Sequence, residues 1–130
     1  MASRHEFKIA IDFDGTVVTH HYPEIGDDLG AVPVLKELMG RGYKIILYTM
    51  RHGSLLKQAE QWFDKRGIKL WAVNENPNQK RWTDSMKVHA DLYIDDSALG
   101  CPIKFIDGET RPAADWVRIR EQLVKEGLLD

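Results

Sequence analysis

Short apolar runs recur along the chain, separated by stretches in which apolar residues return every three or four positions. The runs are Lys8 to Asp12, Lys44 to Tyr48, Lys69 to Val73, Asp91 to Ile94 and Ile103 to Ile106. They are too short for helices and too continuous for strands with one wet face, so they predict strands buried on both sides, as in a parallel sheet. The stretches between them predict helices. The first runs from Ala31 to Met39, with Val34, Leu35 and Leu38 as its apolar face, Asp27 or Asp28 as its cap, and Gly40 and Gly42 as its stop. Pro33 is tolerated there because it lies in the first turn. A second helix, from Gly53-Ser54 through Arg66, repeats Leu55, Ala59, Trp62 and Phe63 before Gly67 ends it. A third, from Ala113 to Glu126, turns Trp116, Ile119 and Leu123 inward. Strands alternating with helices predict βαβ units, hence an α/β, three-layer Rossmann-like fold with a parallel sheet of about five strands.

Two segments break the alternation. Residues 15–28, with Gly15, Pro23 and Gly26, predict a loop or short hairpin flap, and Asn74 through Lys87 predicts a turn-rich crossover. Neither can fold into a domain, so residues 1–130 are expected to form one unit around one core. No run approaches the roughly 18 apolar residues of a membrane span. The charged start, Met1 to Glu6, followed by a run broken at Asp12, is not expected to act as a secretory signal. Cys101 is the only cysteine, which excludes an intrachain disulfide and suits a reducing, cytoplasmic setting, with the thiol as a small apolar filler. A net charge of −2 gives no electrostatic footprint for generic nucleic-acid binding.

The chemistry concentrates where the strands end. Ile9-Ala10-Ile11 leads into Asp12-Phe13-Asp14-Gly15, which puts two carboxylates beside a glycine at the end of a buried strand. Such a pair needs a cation, a shared proton or both. In an open parallel sheet the C-terminal strand ends converge on one rim where ligands bind. Asp12 and Asp14 end the first strand, Thr49 the second, and Asp95 and Asp96 the fourth.

With these residues in this order, the chain resembles the haloacid dehalogenase superfamily of aspartate-nucleophile phosphotransferases. Asp12-Phe13-Asp14-Gly15-Thr16 stands as the first motif, Ile46-Leu47-Tyr48-Thr49 as the second, a lysine before the fourth strand as the third, and Ile94-Asp95-Asp96 as the fourth. The resemblance implies a sheet ordered 5-4-1-2-3 and, because no segment is long enough to be a cap, a capless member of the superfamily.

It also implies a Mg²⁺-dependent phosphomonoester hydrolase. Asp12 would be the nucleophile and form an aspartyl-phosphate. Asp14 would protonate the leaving oxygen and then activate water, its backbone carbonyl contacting the metal. An all-oxygen, carboxylate-rich donor set suits Mg²⁺, with Asp95 as a direct ligand and Asp96 as a direct or water-mediated one. Thr49 and the Met50 N–H would bind phosphate oxygens, Gly15 would let the backbone turn near them, and Arg51 is a further candidate for phosphate. The active-site lysine is Lys87, eight positions before Asp95 as in small capless members, with Lys80 as the alternative. His20 and His21 read as a solvent-facing loop with substrate contact left open, and Trp82 either stacks on a base or sugar or packs under its loop.

A capless site implies a phosphorylated macromolecule, or a small molecule enclosed by homo-oligomerisation. No membrane partner is expected, and nucleic acid enters only as substrate, as for a phosphatase acting on 3′ ends. A receiver-type signalling domain is excluded by order, because receivers bring the acidic pair first and accept phosphate on a later aspartate. A non-catalytic phosphate-binding module on the same fold is the remaining alternative.

Overall fold

The computed structural model describes residues 6–130; residues 1–5, which begin the stretch not expected to be a signal, lie outside it. Four strands, β1 (Lys8–Ile11), β2 (Lys44–Leu47), β3 (Ala72–Val73) and β4 (Leu92–Ile94), form one sheet in the order β3-β2-β1-β4. All three pairings are parallel, with Ile9 opposite both Ile45 and Leu92. The central strand is buried at every position, as its Lys-Ile-Ala-Ile sequence requires.

The fold is therefore α/β with a parallel sheet, compatible with a Rossmann-like arrangement, but the sheet has four strands where five were expected. Counted from the other edge the order is 4-1-2-3, and among the described residues no fifth strand pairs with β4. The run at Ile103 forms β5 (Ile103–Lys104), which pairs antiparallel with β6 (Ala113–Ala114). A nearby antiparallel partner closes only a short loop, at small entropic cost. The Ala114 N–H donates to the Gly15 carbonyl at 2.9 Å, so the ribbon docks on the loop after β1.

The three helices are α1 (Ala31–Gly40), α2 (Gly53–Lys65) and α3 (Trp116–Lys125). The third starts later than its apolar spacing predicts because Ala113-Ala114 is spent on β6 and Asp115 caps the helix by accepting the Arg118 N–H. The first has no aspartate cap: Gly30 takes that position at φ +94°, and Asp28 accepts the Gly30 N–H one turn earlier.

Strand alternation sorts the core into two unequal halves. Ile9, Ile11, Ile45, Leu47 and Ile94 face one cluster, joined by Leu35 and Leu38 of α1, Trp62 and Phe63 of α2, and Ile119 and Leu123 of α3. Ala10 and Ile46 face a smaller cluster with Val88 and Ala90. All three helices thus cover one face, while the crossover between β3 and β4 covers the other with nothing longer than the 3-10 turn Gln79–Arg81. Buried amides supply the hydrogen bonds that a helix would. Gln79 donates to the Ser85 and Lys87 carbonyls and accepts the His89 N–H, and Asn76 donates to the His89 carbonyl.

The loop after β1 is wound tightly. The Thr16 and Val17 N–H groups return to the Phe13 carbonyl, and Phe13, fully buried, packs edge-on against Trp62 and tilted on Phe63. Trp116 donates from Nε1 to the Thr16 carbonyl at 2.6 Å, which joins α3 to this turn. Among the described residues no helix is long and apolar enough to cross a membrane.

Trp116→Phe keeps most of the ring but leaves the Thr16 carbonyl unpaired in the interior. Urea denaturation is expected to show a loss of about 1–3 kcal/mol; an unchanged midpoint would mean that the bond does not anchor the turn.

Candidate active site

Parallel pairing brings the ends of β1, β2 and β4 to one edge. The Asp12 N–H continues the ladder to the Ile94 carbonyl at 3.0 Å and the Tyr48 N–H to the Ile11 carbonyl at 2.8 Å, so the residues just past the strands are held as firmly as those within them. Asp12, Asp95 and Asp96 meet there, each offering a carboxylate oxygen within 4.8 Å of the others. Asp14 is not part of this group.

The three acids are partly buried, and their charges oppose one another. Burial, then the charge of Asp95, with Asp96 adding, pushes the Asp12 carboxyl up from 3.8 to about 7, against the pull of the Thr16 hydroxyl and the Phe13 backbone. Among the described residues no lysine or arginine forms an ion pair with these three acids. A hard divalent cation fits the cluster: the set is all oxygen, carboxylate-rich and free of thiolates.

Thr16, fully buried, is the hub of the site, a role its place in the first motif did not assign to it. Its Oγ1 lies 2.9 Å from Asp12 Oδ2 and 3.1 Å from Asp96 Oδ1, and it accepts the Asp96 N–H at 2.9 Å. His20 was also misjudged. It turns inward from the flap, and Nε2 stands 2.9 Å from Asp96 Oδ2 with only 13% of the side chain exposed. No periodicity marks a loop histidine as buried. His21 does face outward, where it meets Glu109 at 2.9 Å.

Gly15 is explained by these neighbours. It sits at φ +86°, and a Cβ there would overlap the His20 ring and crowd Asp96 Oδ2. Its own N–H is committed to the Val18 carbonyl, so it offers no donor to a phosphate.

Arg51 lies elsewhere than a phosphate-binding role requires. The side chain is fully buried, and its guanidinium grips Asp14 in a fork, Nε to Oδ2 at 2.8 Å and Nη2 to Oδ1 at 2.7 Å. The remaining N–H groups reach the carbonyls of Pro23, Glu24 and Leu55, and the guanidinium carbon lies 5.2 Å from the ring centres of both Phe13 and Tyr22. Arg51 thereby ties the first loop, the flap and the start of α2 together, and no donor is left for a ligand.

Thr49 is half-buried at the end of β2. Its N–H donates to Asn74 Oδ1 at 2.8 Å, its Oγ1 accepts the Arg51 N–H at 3.1 Å, and the hydroxyl hydrogen remains to be given. Asn74, at φ +52°, is another residue without a sequence signal. Met50 is exposed, and its N–H has no acceptor among the described residues.

The two candidate lysines both lie in the crossover between β3 and β4. Lys87 places Nζ 5.8 Å from the Tyr93 ring centre. Tyr93 pairs with Ala10 and so shares the sheet face on which Asp12 follows. Lys87 pairs with none of the acids, although Gln79 holds its carbonyl at 2.9 Å. Lys80 is exposed in the 3-10 turn. Trp82 is also largely exposed, edge-on to His89. Burial pushes the Cys101 thiol up, in keeping with an inert filler.

No protein-family model matches the chain, and no curated protein matches it. A solved structure of a conserved protein coded by a locus of Bacteroides thetaiotaomicron is similar, with 35% identity, a TM-score of 0.74, and 95% of this chain and 93% of that one covered. The chain belongs to the same family as that protein.

Two substitutions separate the site's structural parts. Arg51→Ala leaves Asp14 charged and unpaired and should cost about 3–5 kcal/mol in urea denaturation, with Arg51→Lys recovering little because an ammonium cannot form the fork. Asp12→Asn relieves the crowded charge and, in metal-free buffer, should raise the thermal midpoint by a few degrees, on the order of 1 kcal/mol. A lower midpoint for Asp12→Asn would show that the acids do not strain one another.

Proposed function

We propose that the protein is a phosphomonoester hydrolase of the haloacid dehalogenase type, working through a phosphorylated Asp12. The observation that carries the reading is the meeting of Asp12, Asp95 and Asp96 within 4.8 Å at the C-terminal edge of a parallel sheet. The first and fourth motifs of that superfamily contribute these same residues.

Asp12, Asp95 and Asp96 would hold Mg²⁺, which supplies charge neutralisation to the acids and to a phosphate oxygen when bound. In the first step an oxygen of the Asp12 carboxylate attacks phosphorus, the bond to the leaving alkoxide breaks, and the alkoxide takes a proton. In the second step water attacks the acyl phosphate, loses a proton to a base, and returns Asp12 as a carboxylate with inorganic phosphate. Thr49, through its free hydroxyl hydrogen, and the unpaired Met50 N–H are donors for the phosphoryl oxygens on the β2 side. Lys87, on the Asp12 face of the sheet, brings positive charge from the β4 side.

Asp14 is the acid-base candidate, and its fork with Arg51 constrains that role. The guanidinium occupies both carboxylate oxygens, so Asp14 can reach a substrate or water only once Arg51 loosens its hold. The positioning of Asp14 is thus coupled to the flap, because the same guanidinium grips the Pro23 and Glu24 carbonyls.

Release of inorganic phosphate from a panel of sugar phosphates, nucleotides, 3′-phosphorylated oligonucleotides and phosphopeptides tests the reading. Turnover should require Mg²⁺ and fall on the order of 10³-fold or more in Asp12→Asn, while Thr49→Ala should lose about 10- to 10³-fold. Turnover that survives chelation or Asp12→Asn would refute the mechanism. Phosphate binding without turnover across the panel would favour a binding module instead.

A further inference from the structure

The acids that would hold Mg²⁺ are not equally supported, and the difference falls on His20. Thr16 Oγ1 stands between Asp12 Oδ2 at 2.9 Å and Asp96 Oδ1 at 3.1 Å while accepting the Asp96 N–H. A hydroxyl has one hydrogen to give, so Thr16 can donate to only one carboxylate at a time. Whenever that hydrogen goes to Asp12, His20 is the side chain left to donate to Asp96, through Nε2 to Oδ2 at 2.9 Å. A carboxylate that serves a cation can only accept, so in the proposed site the ring nitrogen is assigned as the donor of this contact.

The contact is built. Both side chains are largely sequestered, at 13% and 8% exposure. Gly15 supplies the space, since any Cβ there would overlap the imidazole. The flap that carries His20 is fixed on both sides of it: the Thr19 N–H bonds the Asp27 carbonyl at 2.9 Å, His21 pairs with Glu109, and Arg51 grips the Pro23 and Glu24 carbonyls.

We infer that His20 is a positioning residue for the metal site: it fixes the Asp96 carboxylate in the orientation from which Asp96 serves Mg²⁺, directly or through water. His20 itself is no ligand, because the nitrogen facing the cluster carries the hydrogen given to Asp96. The inference rests on the proposed Mg²⁺ site, and it assigns a function to a flap residue outside the four motifs. Outer hydrogen bonds of this kind set ligand orientation, and their loss weakens metal binding about 10- to 100-fold.

Calorimetric titration of the full chain with MgCl₂ alone tests it, with His20→Ala, His20→Phe and His20→Gln. The phenylalanine keeps a ring over Gly15 without a donor; the glutamine restores a donor without the ring. His20→Ala and His20→Phe should weaken Mg²⁺ binding about tenfold or more, with His20→Gln recovering most of it, and this order should hold whatever the ranking of the variants in urea denaturation. Binding within twofold of wild type in His20→Phe, or a Gln variant as weak as the Phe variant, overturns the inference while leaving the proposed function standing. A wild-type chain that binds no Mg²⁺ overturns both.

Discussion

Carboxylates crowded at one end of a sheet are the constraint to which the rest of this molecule answers. Asp12, Asp95 and Asp96 lie within 4.8 Å of one another, and burial with mutual repulsion lifts Asp12 to about 7. Asp14, two residues past Asp12, would add a fourth charge, but Arg51 draws it aside into a separate, partly buried pair. The acids are thereby sorted into one group that wants a cation and one acid that already has one. That division follows from side-chain direction. Asp12 still lies in the ladder, whereas Asp14 lies past it, in a turn closed by hydrogen bonds to the Phe13 carbonyl.

The sorting explains why so much of the chain converges on residues 12–20. The ribbon of β5 and β6 bonds the Gly15 carbonyl, Trp116 bonds the Thr16 carbonyl, and Leu29 bonds the Val17 carbonyl. A short loop carrying uncompensated charge would otherwise relax outward, exposing its acids to water. Here the backbone is held from three directions, and desolvation of Asp12 is sustained by packing of Phe13 against α2.

The elements readable in the sequence are those whose signal is local. Lys8 to Asp12 and Lys44 to Tyr48 are continuous apolar runs, and α2 and α3 carry large apolar residues at helical spacing, so their existence and parallel pairing could be expected. The fifth strand could not be placed by the same means. Ile103-Lys104 has the composition of a strand, but its partner was decided by a competition between the edge of β4 and Ala113-Ala114, which composition does not report. The acids of the site were legible because buried carboxylates at strand ends are chemically conspicuous. Their supports were not: Thr16 and His20 act across separations of about eighty residues, on Asp96. Arg51 had the right neighbourhood and the wrong reading, since an arginine beside a threonine at a strand end looks the same whether it faces solvent or a buried aspartate.

The flap's attachment bears on how an open site of this kind could choose its substrate. Residues 15–28, which follow Asp12 and Asp14, are anchored at His20, at His21 and through Arg51. A lid that closed by hinging would have to break the Arg51 bonds to Pro23 and Glu24, and the same guanidinium holds Asp14. Flap movement and the state of Asp14 are therefore linked through one side chain. Whatever loosens the flap also loosens the hold on Asp14. Under the proposed hydrolase reading, selectivity would come less from enclosing a ligand than from whether it reaches past the flap to Thr49 and Met50 on one side and Lys87 on the other.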